Sequence, residues 1–194
     1  MSKSHPTPNR LEPGQSAPDF EIHALDGRPL RLSACRGRPV LLSFFRYASC
    51  PMCNLRVRDL IAAHERFTAR GLVHWAVFES TPENIARYVG RQAPPFALVP
   101  DATGRLYRLY GVERSLLGTV APSVIRHAAQ AMGQGMLPGR VDGKTDRMPA
   151  DFLIDAHGQV SRAFYAATAD AHLPLAEIDA WLSDQPAAPA GLAA

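Results

Sequence analysis

Short apolar runs, separated by glycine, proline and charged turns, set the rhythm of this chain. Val40 to Phe45 is apolar except at Ser43, the length and composition of a strand buried on both faces. From Asn54 to Arg70 the period becomes helical. Cys53, Val57, Leu60, Ile61, His64 and Phe67 fall on one inward stripe, and Gly71 ends the run. Leu72 to Phe78 reads as the next strand. Thr81-Pro82-Glu83 then supplies an N-cap, a first-turn proline and a first-turn acid for a helix reaching about Gly90. Pro94 to Asp101 contains a short strand, and Gly104 to Tyr110 a further turn or two of helix. Upstream, Phe20–Leu25 and Pro29–Leu32 flank a hairpin-like turn at Asp26-Gly27. Downstream, Asp151–Asp155 and Val160–Tyr165 flank a turn at Ala156 to Gln159, and Leu175 to Leu182 closes the pattern with a helix.

Between these halves, residues 113–146 follow neither period and read as an insertion. Val124, Ile125, Ala128, Ala129 and Met132 suit one amphipathic helix, and Gly133, Gly135, Gly139 and Gly143 imply a loop. The helix is expected to cover the sheet, with a homodimer surface as its other reading. The element order predicts an α/β fold, a central mixed sheet with helices on both faces. One domain over residues 13–183 is expected, with a disordered lead at 1–12 and a disordered tail at 184–194.

At 46% hydrophobic and 20% charged, the 194 residues can bury an ordinary core. No apolar run approaches the roughly 20 residues that cross a bilayer, and the first residues lack the apolar centre of a secretory signal. A cytoplasmic protein without membrane contact is the expectation. The net charge is +3, nearly all of it from arginine, with Lys3 and Lys144 the two lysines. These basic residues are scattered and not interleaved with aromatics, so no nucleic-acid partner is expected.

The chemistry points to Cys50-Pro51-Met52-Cys53, which the central strand delivers to the first turn of the long helix. Pro51 suits the first helical position, which makes Cys50 the N-cap. A thiolate there would face unpaired backbone N–H groups and the positive end of the helix dipole, and the thiolate is the nucleophile in disulfide exchange and peroxide attack. Cys53 starts on the core side and Cys50 is expected at an exposed tip, the two within disulfide reach. A structural zinc site would need four ligands, but His5, His23, His64, His74, His127, His157 and His172 are dispersed, so no metal is expected. His64 lies roughly 16 Å beyond Cys53 along the helix, too far to serve as its base. A surface or capping role is expected for His172, a small packed side chain for Cys35, and a core position for Trp75 and Phe78. Tyr47 reads either as shaping substrate approach or as simple packing.

Three stretches carry a family resemblance: Gly14 to Phe20, Phe44 to Cys53, and Pro149 to Gly158. From about Pro13 to Leu182 the chain resembles the thioredoxin superfamily, and within it the peroxiredoxin-like branch of alkyl hydroperoxide reductase and thiol-specific antioxidant proteins. That family has a Pro-x-x-x-Thr-x-x-Cys motif whose Cys attacks peroxide. The resemblance puts Cys53 at the attacking position, Cys50 at the threonine and Arg46 at the proline. The family's late-strand arginine falls on Pro149. Thioredoxin-type oxidoreductases instead carry Cys-x-x-Cys and a cis-proline at that place. A cis Met148-Pro149 bond would turn its backbone toward the cysteines and offer pairing groups to a substrate chain, and Arg147 or Arg46 could replace the missing guanidinium.

The expectation is a thiol-dependent redox enzyme that cycles Cys50 and Cys53 between dithiol and disulfide. The substrate is a hydroperoxide or a disulfide. Cys50 attacks in the disulfide version, whereas the resemblance gives that role to Cys53 in the peroxide version. No nicotinamide, flavin or metal motif is present, so electrons are expected from an external thiol donor of thioredoxin or glutathione type. The rival from another class is a non-catalytic redox-sensing module whose disulfide alters the surface of residues 113–146.

Overall fold

The computed structural model describes residues 10–185. An antiparallel hairpin of β1 (Glu21–His23) and β2 (Pro29–Arg31) precedes the main sheet. The chain then runs through β3 (Val40–Phe44), α1 (Pro51–Thr68), β4 (Val73–Phe78), α2 (Pro82–Arg87), β5 (Ala97–Pro100) and α3 (Arg105–Leu109). It continues with α4 (Pro122–Gly133), β6 (Ala150–Ile154), β7 (Val160–Tyr165) and α5 (Leu175–Ser183). The five-stranded sheet has the order β5-β4-β3-β6-β7. Its first three strands are parallel, and β6 and β7 run antiparallel to their neighbours, so the sheet is mixed as expected.

β3 lies at the centre, every residue buried, because both faces of the sheet are covered. Its alternate side chains feed two cores. Leu42 and Phe44 pack with Trp75, Val77 and Phe152 beneath Phe20, Tyr107 and Tyr110. Leu41 and Phe45 pack with Ala76, Phe78 and Leu153 beneath α1 and α5. The inward stripe of α1 is realised by Cys53, Val57, Leu60 and Phe67, with Ala63 among them; Ile61 and His64 sit at its margin. Trp75 and Phe78 are core, as predicted.

Two expectations need correction. The N-terminal lead is anchored from Arg10 onward: Arg10 pairs with Glu113 at 2.8 Å and the Leu11 amide donates to the Tyr165 hydroxyl at 2.8 Å. The disorder expected for residues 1–9 and 186–194 lies outside the described residues. The insertion helix α4 packs chiefly on α1, not on the sheet, because α1, α2 and α5 already fill that face. Val124 joins Met148 and Ala169 in a small separate cluster, while Leu116, Leu117, Val120 and Ile125 stay exposed. No helix among the described residues is long and apolar enough to cross a membrane.

One buried ion pair fixes the end of the sheet that bears the cysteines. The Arg147 guanidinium donates to both Glu79 carboxylate oxygens, at 3.0 and 2.9 Å, and to the Val112 carbonyl at 2.8 Å. It lies 4.7 Å over the ring of Tyr107, whose hydroxyl donates to the Phe45 and Val77 carbonyls. Both charged side chains are nearly enclosed, so each needs the other. Arg147→Ala leaves Glu79 buried and unpaired, and is expected to cost about 3–5 kcal/mol of stability, read by urea denaturation. A loss under about 1 kcal/mol would mean the pair is already solvated.

Candidate active site

The sharp turn between β3 and α1 carries the chemistry. The Cys50 amide donates to the Tyr47 carbonyl at 3.1 Å, closing the turn. Cys50 is the N-cap in extended conformation and Pro51 follows in the first helical turn, as the sequence required. Asn54 ties the turn from inside, donating through Nδ2 to the Ala48 and Cys50 carbonyls at 2.8 and 2.9 Å. Gln92 in turn donates to the Asn54 Oδ1 at 3.0 Å. Ser80 Oγ accepts the Ala48 amide at 2.9 Å.

Both cysteines are reduced and buried, which corrects the exposed tip expected for Cys50. The cover is residues 139–147, a strap that returns from the insertion across the turn. Ser49 Oγ donates to the Arg140 carbonyl at 2.7 Å, and Asn84 Nδ2 donates to the same oxygen at 3.2 Å. The Asp142 carboxylate accepts from Ser80 Oγ at 2.6 Å and from the Thr81 amide at 2.8 Å. The Arg140 amide donates to the Tyr88 hydroxyl at 2.8 Å. Gly143 lies so close that a Cβ there would sit 2.1 Å from the Glu79 carbonyl oxygen and 3.1 Å from Tyr47 Cβ. A side chain at that position would push the strap off the cysteines.

Arg46 sits between strap and sulfur. One of its terminal nitrogens lies 3.7 Å from Cys50 Sγ, and the other donates to the Thr145 carbonyl. It is 5% exposed and forms no ion pair with any carboxylate among the described residues. Its natural counter-ion is therefore a Cys50 thiolate. The Cys50 pKa is lowered, first by the hydrogen bond from the Cys53 thiol, then by the Arg46 charge and by the Met52 and Cys53 amides at the helix start, all against the penalty of burial. The Cys53 pKa is raised, first by burial, then by donating to Cys50 and by the charge on that sulfur. The arrangement sets a thiol of lowered pKa beside one of raised pKa, a chemistry suited to disulfide exchange.

The remaining sequence candidates divide sharply. Tyr47 is half-buried with Arg46 5.3 Å over its ring, and burial, aided by the Cys50 charge, pushes its phenol up to about 12. It packs beside the cysteine turn as a neutral phenol. Arg147 is committed to Glu79, and it is Arg46 whose guanidinium lies beside Cys50. No peptide bond among the described residues is cis, Met148-Pro149 included. Pro149 is buried at the start of β6 and its carbonyl accepts the Ala166 amide at 3.0 Å. That oxygen is occupied by the chain's own sheet extension, so it has no pairing group to offer a substrate strand.

His172 is not at the surface: its Nδ1 meets the Asp151 carboxylate at 2.9 Å and its ring packs 4.8 Å from Phe45. Asp151 is wholly buried; against that burial, His172 and Arg56 hold its carboxyl well below the usual range. Sequence reasoning missed the strap residues Arg140, Asp142 and Thr145, and with them Ser80 and Asn54. Only Gly139 and Gly143 hinted at a close backbone approach there. No group of three or more His, Cys, Asp and Glu side chains able to hold a metal exists among the described residues.

The chain matches the model of the AhpC/TSA family over residues 13–163. A Mycobacterium tuberculosis peroxiredoxin is 26% identical over 166 residues, covering 84% of this chain and 91% of that protein. Peroxiredoxin Bcp of Escherichia coli is 23% identical over 158 residues, covering 80% and 86%. Among solved structures, peroxidoxin BcpB from Mycobacterium tuberculosis superposes with a TM-score of 0.66 at 22% identity, covering 90% of this chain and 97% of that one.

Replacing Arg46 by Met removes the thiolate's nearest positive charge. Because the Cys50 pKa is lowered in the native site, alkylation of Cys50 should set in at a pH below that of an ordinary thiol and fall away only as pH drops through that lowered value. In Arg46→Met the whole profile should move to higher pH. An unmoved profile would show that the helix start and Cys53 hold the charge without Arg46.

Proposed function

The chain belongs to the AhpC/TSA family and is a thiol-dependent oxidoreductase, and from that premise we propose that it reduces hydroperoxides with Cys50 as the attacking sulfur. The observation that carries this reading is the buried guanidinium–sulfur contact between Arg46 and Cys50, closed over by residues 139–147. A small oxidant needs only a local opening at Arg46 and the strap. A protein disulfide needs an exposed sulfur and a free backbone edge, and Pro149 supplies no such edge.

In the forward step the Cys50 thiolate attacks the terminal peroxide oxygen. The O–O bond breaks, an S–O bond forms, and the departing alkoxide takes up a proton from water to become alcohol or water, so Cys50 becomes a sulfenic acid that keeps the peroxide's own proton. Arg46 can donate to the departing oxygen as negative charge develops on it. The Cys53 thiol then displaces hydroxide from that sulfur, forming the Cys50–Cys53 disulfide and releasing water. Its high pKa keeps Cys53 protonated until the Cys50 charge is consumed. An external dithiol of thioredoxin type restores both thiols by exchange. Such a donor implies a reducing compartment, in keeping with a cytoplasmic setting.

This assigns the opposite sulfur from the one the family motif would choose. The support is electrostatic: in the family the guanidinium comes from the late strand, whereas Arg46 approaches from the turn and faces Cys50. Peroxide loss coupled to a thioredoxin system should be sustained in the native protein and abolished in Cys50→Ser. Cys53→Ser should consume peroxide for a single turnover and stop. Full turnover surviving in Cys50→Ser, or faster reduction of a protein disulfide than of peroxide, would reverse the assignment.

A further inference from the structure

The insertion helix α4 is covered on one side only. On its inner side Val124 packs with Met148 and Ala169, and Met52 of the cysteine motif rests against the same cluster. Its outer side shows Pro122, Ile125, Ala129 and Met132, each three or four residues from the next and all exposed, which makes one stripe along the helix. The turn before the helix extends that stripe. Leu116, Leu117 and Val120 are 73%, 85% and 67% exposed, and Ile125 is 67% exposed. Val120 directly precedes the N-cap Ala121, and Ile125 is the fourth helical residue; apolar side chains at these two positions commonly meet across a helix start. Turn and helix therefore present a continuous face.

The face is rigidly displayed. The Gly118 amide donates to Ser115 Oγ at 3.1 Å, and the Gly118 carbonyl accepts the Ala169 amide at 2.9 Å. A Cβ on Gly118 would sit 2.5 Å from the Ala167 carbonyl oxygen and 2.7 Å from Met148 Sδ, so the turn is pressed against the segment between β7 and α5 while its leucines stay open. No acidic residue occurs from Arg114 to Val141, and Arg126 is the one arginine or lysine on α4. Such a face lacks the flanking cations of a helix that lies on a membrane, and it has no charge cluster with which to select a charged partner.

It is, however, complementary to itself. With two α4 helices antiparallel about Ala129, Ile125 of one copy meets Met132 of the other, and the small Ala129 lets the helices approach closely. The exposed apolar residues of turn and helix leave on the order of 600 Å² open, so two copies would bury roughly 1,200 Å², the lower bound for a specific interface. We propose that residues 116–132 form a two-fold interface between copies of this chain, with α4 packed on α4 and Leu116, Leu117 and Val120 extending the contact. Because the same helix backs Met52 from within, association steadies the support of the cysteine motif without adding a residue to it.

Sedimentation velocity of the native chain under reducing conditions, at concentrations up to about 100 μM, tests this. A rise toward twice the monomer mass is expected. In Leu117→Glu/Ile125→Glu the association should weaken at least tenfold, with the far-ultraviolet circular dichroism unchanged. A second readout places the contact: in a Cys35→Ser/Cys50→Ser/Cys53→Ser background, Ala129→Cys should cross-link to a covalent dimer on treatment with diamide. Ala102→Cys, at an exposed position outside the insertion, should not. A native chain that stays monomeric throughout, a dimer unaffected by the double variant, or equal cross-linking at both positions would overturn the proposal. A monomer whose double variant turns over peroxide more slowly with a thioredoxin-type donor would also overturn it, and would make this face the donor's docking surface instead.

Discussion

A guanidinium buried without a carboxylate is the constraint around which this molecule is arranged. Leaving such a cation unpaired in the interior costs several kcal/mol, and Arg46 has only the Cys50 sulfur and the Thr145 carbonyl within reach of its terminal nitrogens. The thiolate and the arginine therefore stabilise each other: each makes the burial of the other tolerable. Cys53 completes the pair by donating a hydrogen bond to the Cys50 sulfur, which is why the two thiols are driven in opposite directions. The two thiols are thereby inequivalent before any substrate arrives.

The scaffold serves that contact. β3 must end at Phe44 so that the turn to Pro51 places Arg46 and Cys50 four residues apart on one side. The strap must cross at Gly143, and the Glu79–Arg147 pair holds its far end by accepting the Lys144 amide on Glu79 as well. Relative to the family motif, a proline has become Arg46 and an arginine has become Pro149. In this chain the guanidinium beside Cys50 is that of Arg46.

Much of the fold was legible because it is local. The β3 run, the α1 stripe, Cys50 as N-cap and Pro51 at the helix start all follow from neighbouring residues, and the mixed sheet from element order. What escaped depends on long-range closure. Nothing near Cys50 announces that Arg140 and Thr145, some ninety positions later, seal it. His172 looked like a surface residue until Asp151 claimed it inside the sheet. Pro149 looked like a docking proline, but its carbonyl is taken by Ala166.

The central claim is that Cys50 is the ionised sulfur, and the most direct measurement is to identify which cysteine reacts first. The reduced native protein would be treated with substoichiometric iodoacetamide at mildly acidic pH and the label located by mass spectrometry. The account predicts the label on Cys50, with Cys53 and Cys35 left unmodified. Label on Cys53 ahead of Cys50, or spread evenly over all three thiols, would contradict it.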